Sequence, residues 1–125
     1  MSDKFDALSE QFKKASARFF DVMKKKKDEF IRDSAIQRFE FTFELAWKCV
    51  KSYLEEIKGI KTFAPRDAIS EAYRIHFIDD EKVWVLMLQT RNMTSHLYNE
   101  AMSEEVYSRL AQFVPVIKKL VKALG

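Results

Sequence analysis

Glycine and proline are scarce in this chain, with two of each in 125 residues. That removes most of the positions at which an all-β or α/β fold makes its tight turns. Cysteine is scarcer still. The single Cys49 excludes a disulfide framework and supports no metal cluster, and among apolar neighbours it reads as a small buried hydrophobe. No apolar run approaches the ~18 residues of a membrane span. The opening Met1-Ser2-Asp3-Lys4 lacks the apolar stretch of a secretory leader. A cytoplasmic protein with no membrane segment is therefore expected. Neither glycine lies in a phosphate-cradling loop, and Ser95 beside His96 has no elbow glycines or orienting acid to make it a nucleophile.

What the chain does hold is 33% charged and 47% apolar residues, the mixture of long amphipathic helices. Its length predicts one domain over residues 1–125 with one core. Net charge is +3, much of it from Lys24 to Lys27. That run suits the negative end of a helix, and it also permits an anionic partner.

Apolar residues at Phe5, Leu8, Phe12, Ala15, Phe19 and Val22 or Met23 predict a first helix from Asp3 to about Lys25, capped by Ser2 or Asp3. A second helix is expected from near Asp28 to Lys58, stopped by Gly59. Its inward stripe runs through Ile31, Ala35, Phe39, Thr42, Leu45 or Ala46, Cys49, Tyr53 and Ile57. Phe41, Phe43, Trp47, Val50 and Leu54 add apolar surface on other sides. About thirty helical residues span near 45 Å, too much aromatic surface for one small domain to cover, so a partner or dimer surface involving Arg38, Phe43 and Trp47 is inferred. Glu40, Glu44 and Lys48, four residues apart, are expected to pair within the helix.

Pro65-Arg66-Asp67 predicts a short third helix to about His76, with Ala68, Ile69, Ala72 and Tyr73 inward. Asp79-Asp80 should cap a fourth helix rather than bind metal, because no further oxygen ligands follow at loop spacing. Ser103 is expected to cap a last helix that runs to Leu124 and kinks at Pro115. The predicted fold is all-α: an antiparallel up-and-down four-helix bundle with one short extra helix.

One stretch carries chemistry. Arg91-Asn92-Met93-Thr94-Ser95-His96-Leu97-Tyr98 holds one of two histidines, the other being His76, which has no ligand partner at metal spacing and reads as a helix end. Histidine moves protons near neutral pH, and arginine holds phosphate and stabilises added negative charge. Together they suit phosphodiester cleavage without metal, with an adjacent ribose hydroxyl as nucleophile and therefore RNA as substrate. The bland alternative pairs Arg91 with a carboxylate such as Glu100 and leaves His96 to satisfy a helix end. A straight helix would hold the two roughly 140° apart around its axis and about 7.5 Å apart along it. For joint action the helix must loosen between them, or a second subunit must complete the site.

The same stretch resembles the Arg, polar residue, three residues, His, one residue, Tyr motif of the HEPN superfamily. Gln37-Arg38-Phe39-Glu40-Phe41-Thr42-Phe43-Glu44-Leu45-Ala46-Trp47-Lys48, Ala64-Pro65-Arg66-Asp67 and Asp79-Asp80 resemble its branch of nucleotidyltransferase substrate-binding proteins. The resemblance implies a homodimer of helical bundles, without cofactor or metal, that partners a separately encoded minimal nucleotidyltransferase. It further implies a metal-independent ribonuclease toxin, with Arg91 as phosphate contact, His96 as proton-transfer residue and Asn92 as a supporting polar group. Tyr98 matches the tyrosine that the nucleotidyltransferase, acting as antitoxin, modifies with AMP. The branch name implies the alternative of a non-catalytic subunit that binds RNA or a nucleotide substrate and completes the partner's active site.

Overall fold

The first helix, α1, spans Asp3–Met23 and turns Phe5, Phe12, Phe19 and Val22 inward at helical spacing. The computed structural model describes residues 3–125; the expected Ser2 cap lies outside them. The helix stops at Met23 rather than Lys25. Lys24 to Lys27 form an exposed turn in which Lys27 pairs with Glu104 and lies 5.3 Å over the Tyr107 ring. Part of the basic run thus fastens the connection after α1 to a later helix.

α2, Glu29–Lys58, obeys its local signals at both ends. The Asp28 carboxylate accepts the Ile31 N–H at 2.7 Å, satisfying one of the unpaired donors of the first turn. Gly59 adopts φ 68°, and the Ile60 N–H closes on the Leu54 carbonyl, a left-handed stop that suits glycine. α3 is Pro65–Arg74, with proline in its first turn. α4 is Glu81–Met93, capped by Asp80, whose side chain accepts the Val83 N–H. Asp79 pairs with Lys119 at 3.0 Å, so both aspartates have structural partners.

The last helix departs from expectation. Asn99, not Ser103, caps α5, Glu100–Leu110, by accepting the Met102 N–H at 2.9 Å. The chain then breaks at Ala111 and Gln112 and resumes as α6, Phe113–Ala123. Pro115 explains the position of the break. Its nitrogen cannot donate to the carbonyl four residues back, that of Ala111, and its ring crowds that carbonyl. The kink expected at Pro115 is therefore a break four residues earlier. Among the described residues there are six α-helices and no strand.

α2 is the hub, packing against α1, α3, α4 and α5. This corrects the inference about Phe43. With neighbours on several sides, α2 buries residues beyond one stripe: Phe43, Val50 and Leu54 are core together with Phe39, Ala46 and Cys49. A run of rings passes through the centre, from Phe19 to Phe39 at 6.0 Å, Phe39 to Phe43 at 6.2 Å and Phe43 to Trp84 at 6.3 Å. Phe113 stacks on Phe39 at 5.3 Å. These separations fall in the range of favourable ring pairs. Ile57 and Tyr73, expected inward, are instead exposed. Among the described residues no helix is long and apolar enough to cross a membrane.

Cys49 is fully buried, and that burial pushes its thiol up to about 12. Only the thiolate is nucleophilic. A disulfide reagent at about pH 8 is expected to leave the native chain unmodified and to titrate its single thiol once denaturant is added. Rapid native labelling would refute the burial.

Candidate functional site

The arginine and histidine stretch sits where α4 hands over to α5. α4 ends at Met93, and Thr94–His96 tightens into a 3₁₀ turn. Low helix propensity in Asn92, Thr94, Ser95 and His96 favours loosening here. Leu97, at φ −88° and ψ 88°, then turns the chain into the extended Asn99 cap.

Each end of the stretch is held differently. Arg91, on the last turn of α4, points toward α2. Its Nη1 donates to Glu44 Oε2 at 2.9 Å, and its guanidinium lies 5.8 Å over the Phe43 ring. Its Nε is buried with no hydrogen-bond partner among the described residues, a rare condition for a charged donor. The Thr94 hydroxyl lies 2.7 Å from Glu40 Oε2 and from the Arg91 carbonyl. Glu40 and Glu44 therefore reach across to α4, one turn apart on α2. Glu44 also accepts the Trp47 indole N–H at 3.1 Å and stands 3.8 Å from Lys48. Arg91 thus pairs with a carboxylate, as the bland alternative has it, but with Glu44 rather than Glu100, which goes to Arg32.

His96 and Tyr98 face outward. The Tyr98 hydroxyl is 3.1 Å from His96 Nδ1, and Tyr98 is 78% exposed. The contact suits either neutral tautomer: the phenol donates to Nδ1, or Nδ1–H donates to the phenol oxygen and leaves Nε2 free to accept a proton. Among the described residues no hydrogen bond joins Arg91 to His96. The fold brings Arg91 to Glu44 and His96 to Tyr98, as two neighbouring pairs on one segment. Asn92 is exposed and Arg38 half-buried. Phe43 lies beneath Arg91 rather than on a surface, and Trp47 is half-buried with its N–H tied to Glu44.

Sequence reasoning missed two features. The expected ladder of Glu40, Glu44 and Lys48 keeps its Glu44–Lys48 pair at 3.8 Å, but both carboxylates also bind α4, for which two carboxylates on an aromatic face are the signal. The other is Arg32, almost fully buried on α2, which binds Asp33, Glu100 and Glu104. Glu100, then Asp33, raise its already high pKa further, so it remains charged. This cluster anchors the start of α5, just beyond Tyr98. Lys27, then Arg32, hold the Glu104 carboxyl below its ordinary value. A depressed carboxyl stabilises the fold above its unfolded pKa, and that contribution fades as pH falls through the folded value. Glu104→Gln is expected to lower the melting temperature at neutral pH, with the gap to the native chain closing below about pH 4. A constant gap across that range would remove the pairing from the account.

The fold and site together define a small all-helical protein with a histidine and tyrosine pair exposed at a helix junction, just after an arginine-bearing helix. The comparisons then give the family. This chain belongs to the nucleotidyltransferase substrate binding protein like family, which matches residues 5–125. It is 31% identical over 100 residues to a Haemophilus influenzae protein described as "Probable ribonuclease HepT", covering 77% of this chain and 68% of that one. A Thermus thermophilus protein of solved structure superposes with TM-score 0.85 at 29% identity, covering 90% of this chain and 98% of that one. A Haemophilus influenzae protein, reported as the fold of a substrate binding domain of a nucleotidyltransferase, gives TM-score 0.69 at 27% identity, covering 98% and 97%. A tri-AMPylated Shewanella oneidensis HEPN toxin, solved in complex with an MNT antitoxin, shares the fold at TM-score 0.63 and 20% identity, covering 94% and 98%.

Proposed function

We propose that this chain is a HEPN-type subunit, working as a homodimer of helical bundles beside a separately encoded minimal nucleotidyltransferase, and that it is a metal-independent ribonuclease silenced by AMP transfer to Tyr98. The observation that carries this reading is the exposed pair of His96 and Tyr98, 3.1 Å apart, on the irregular segment that follows Arg91. The similarity to a protein described as a probable ribonuclease supports it.

In cleavage, His96 takes the proton of a ribose 2′-hydroxyl, whose oxygen attacks the adjacent phosphorus. The bond to the 5′-oxygen breaks as the 2′,3′-cyclic phosphate closes, and the leaving oxygen takes a proton from solvent, to which His96 in turn returns its own. Arg91 stabilises the charge that builds on the phosphate, with Asn92 as a supporting polar group. Arg91 begins paired with Glu44, and its unpartnered Nε leaves it a reason to reorient toward an incoming phosphate oxygen. A site shared across the dimer would let each subunit's arginine serve the other's histidine. Arg38 and the exposed Phe41 beside it offer α2 surface for a partner or for the dimer.

In silencing, the Tyr98 oxygen attacks the α-phosphorus of a nucleoside triphosphate held by the nucleotidyltransferase. Pyrophosphate leaves, and His96 Nδ1 is placed to take the phenolic proton. The attached nucleotide then covers His96. Co-expression with the nucleotidyltransferase should add AMP units to the chain by intact-mass measurement, and Tyr98→Phe should remove them all. AMP units that persist on the Tyr98→Phe chain would sink the assignment.

The second reading, a non-catalytic subunit that completes the nucleotidyltransferase active site, draws support from the family description and the substrate-binding-domain relative. It predicts a stable complex with no intrinsic cleavage of RNA.

A further inference from the structure

A cleft of about 350 Å³ lies where the first turns of α1 cross the last turns of α2, away from the His96 and Tyr98 pair. Its α2 wall is a continuous stripe, because the pairs Trp47–Lys51 and Lys48–Ser52 are each one turn, four residues, apart on one side of the helix. Lys4 and Leu8, one turn apart on α1, form the opposite wall. Three features of this cleft are not explained by folding alone.

The first is charge. Lys4, Lys48 and Lys51 converge on one opening whose sole acidic wall residue is Glu55. Glu55 is already occupied by Lys51 at 2.9 Å, and Lys51 first, with Lys4 and Lys61 adding to it, holds that carboxyl below its ordinary value. Lys48 has only a loose contact with Glu44, at 3.8 Å. The second is the hydroxyl of Ser52, a residue only 3% exposed, which lines the cleft and has no hydrogen-bond partner among the described residues. Buried polar groups are nearly always satisfied, so this one calls for an acceptor or donor from outside. The third is Trp47. Its N–H is fixed by Glu44, so the ring is held in place while only half-buried. A fixed, half-exposed indole in the wall of the cleft offers a face on which a planar ring can stack.

We infer that this cleft binds a nucleoside phosphate, with the base on the Trp47 ring, the phosphate on Lys4, Lys48 and Lys51, and the Ser52 hydroxyl bonded to the ligand. The volume suits one nucleotide, at the small end of ligand pockets. It is a site separate from the arginine and histidine motif, yet it touches it through one carboxylate. Glu44 accepts from Trp47 and from Arg91, so filling the cleft bears on the group that holds Arg91.

The test is titration of the full chain with AMP, followed by calorimetry and by tryptophan emission. Trp84 is buried in the core, so a change in emission reports Trp47. AMP is expected to bind saturably and to quench the emission. Lys48→Gln with Lys51→Gln should weaken binding by roughly tenfold or more, since bonds to charged groups are the stronger kind. Trp47→Leu should cost on the order of tenfold through lost stacking, while Trp47→Phe, which keeps a ring, retains most of the affinity by calorimetry. Inorganic phosphate alone should bind far more weakly than AMP. Arg91→Ala and His96→Ala should still bind AMP, which separates this site from any ribonuclease activity. Absence of saturable AMP binding, unchanged binding in the double lysine variant, phosphate binding as tight as AMP, or loss of binding on Arg91→Ala would each overturn the inference.

Discussion

A chain carrying His96→Ala is expected to cleave RNA about 10²- to 10⁴-fold more slowly, the usual contribution of a positioned acid or base, in buffer containing a metal chelator. The loss should fall on the chemical step, since the exposed imidazole makes one hydrogen bond and one ring contact, both to the exposed Tyr98. Its removal is therefore expected to shift stability by less than about 0.5 kcal/mol, read as a nearly unchanged melting curve. Equal cleavage by the native and variant chains would end the assignment of His96, whereas no cleavage by the native chain would end the ribonuclease reading and leave the binding-subunit reading in place. Arg91→Ala should abolish cleavage as well, but it is the less clean experiment. Removing that guanidinium strips Glu44 of its closest cation and Phe43 of the group above its ring, so a modest loss of stability accompanies the loss of activity. Lysine at position 91 would keep the charge without the planar fork that can hold Glu44 and a phosphate oxygen together.

The second large effect is structural. Phe43→Ala should destabilise the chain by about 3–5 kcal/mol, as expected for emptying a fully buried aromatic site. For a chain of this length that corresponds to a melting temperature lower by roughly 10–20 °C. Phe43→Leu, which keeps most of the volume, should lose no more than about 1.5 kcal/mol. The pair of variants decides between core and surface. Were Phe43 an anchor for another subunit, alanine would release that subunit and spare the fold, visible as a changed sedimentation coefficient with an unchanged melt. Its 0% exposure, its ring contacts with Phe39 and Trp84, and its place under Arg91 all point to the core. Phe43 thus joins fold and site: the ring that fills the centre of the helices is also the floor on which Arg91 rests.

Much of this protein was legible along the chain because the signals are local. Asp28, Asp80 and Gly59 mark helix ends through bonds that close within a few residues. The spacing of Phe5, Phe12 and Phe19 sets one face of α1 whatever lies opposite. The loosening of the helix between Arg91 and His96 likewise follows from a cluster of weak helix formers, and the motif they belong to is written in consecutive residues.

What spacing could not decide is which side chain meets which across the fold. Asn99 and Ser103 are both good N-caps, and only the second element settles the choice: a helix begun at Asn99 presents Glu100 and Glu104 to the buried Arg32. Glu44 has Lys48 one turn along α2, yet its closest cation is Arg91 from α4. Along the chain the aromatic residues of α2 read as excess apolar surface, whereas in the fold α1, α3, α4 and α5 all pack against that helix. The sequence by itself determined the all-helical class, the helix ends marked by Asp28, Gly59, Pro65 and Asp80, and the order of the arginine, histidine and tyrosine. Tertiary structure alone decided that Arg91 is held by Glu44 while His96 and Tyr98 face outward. The physical reason is range: caps and periodicity act within one turn of helix, whereas a carboxylate's partner depends on which helix the completed core brings beside it.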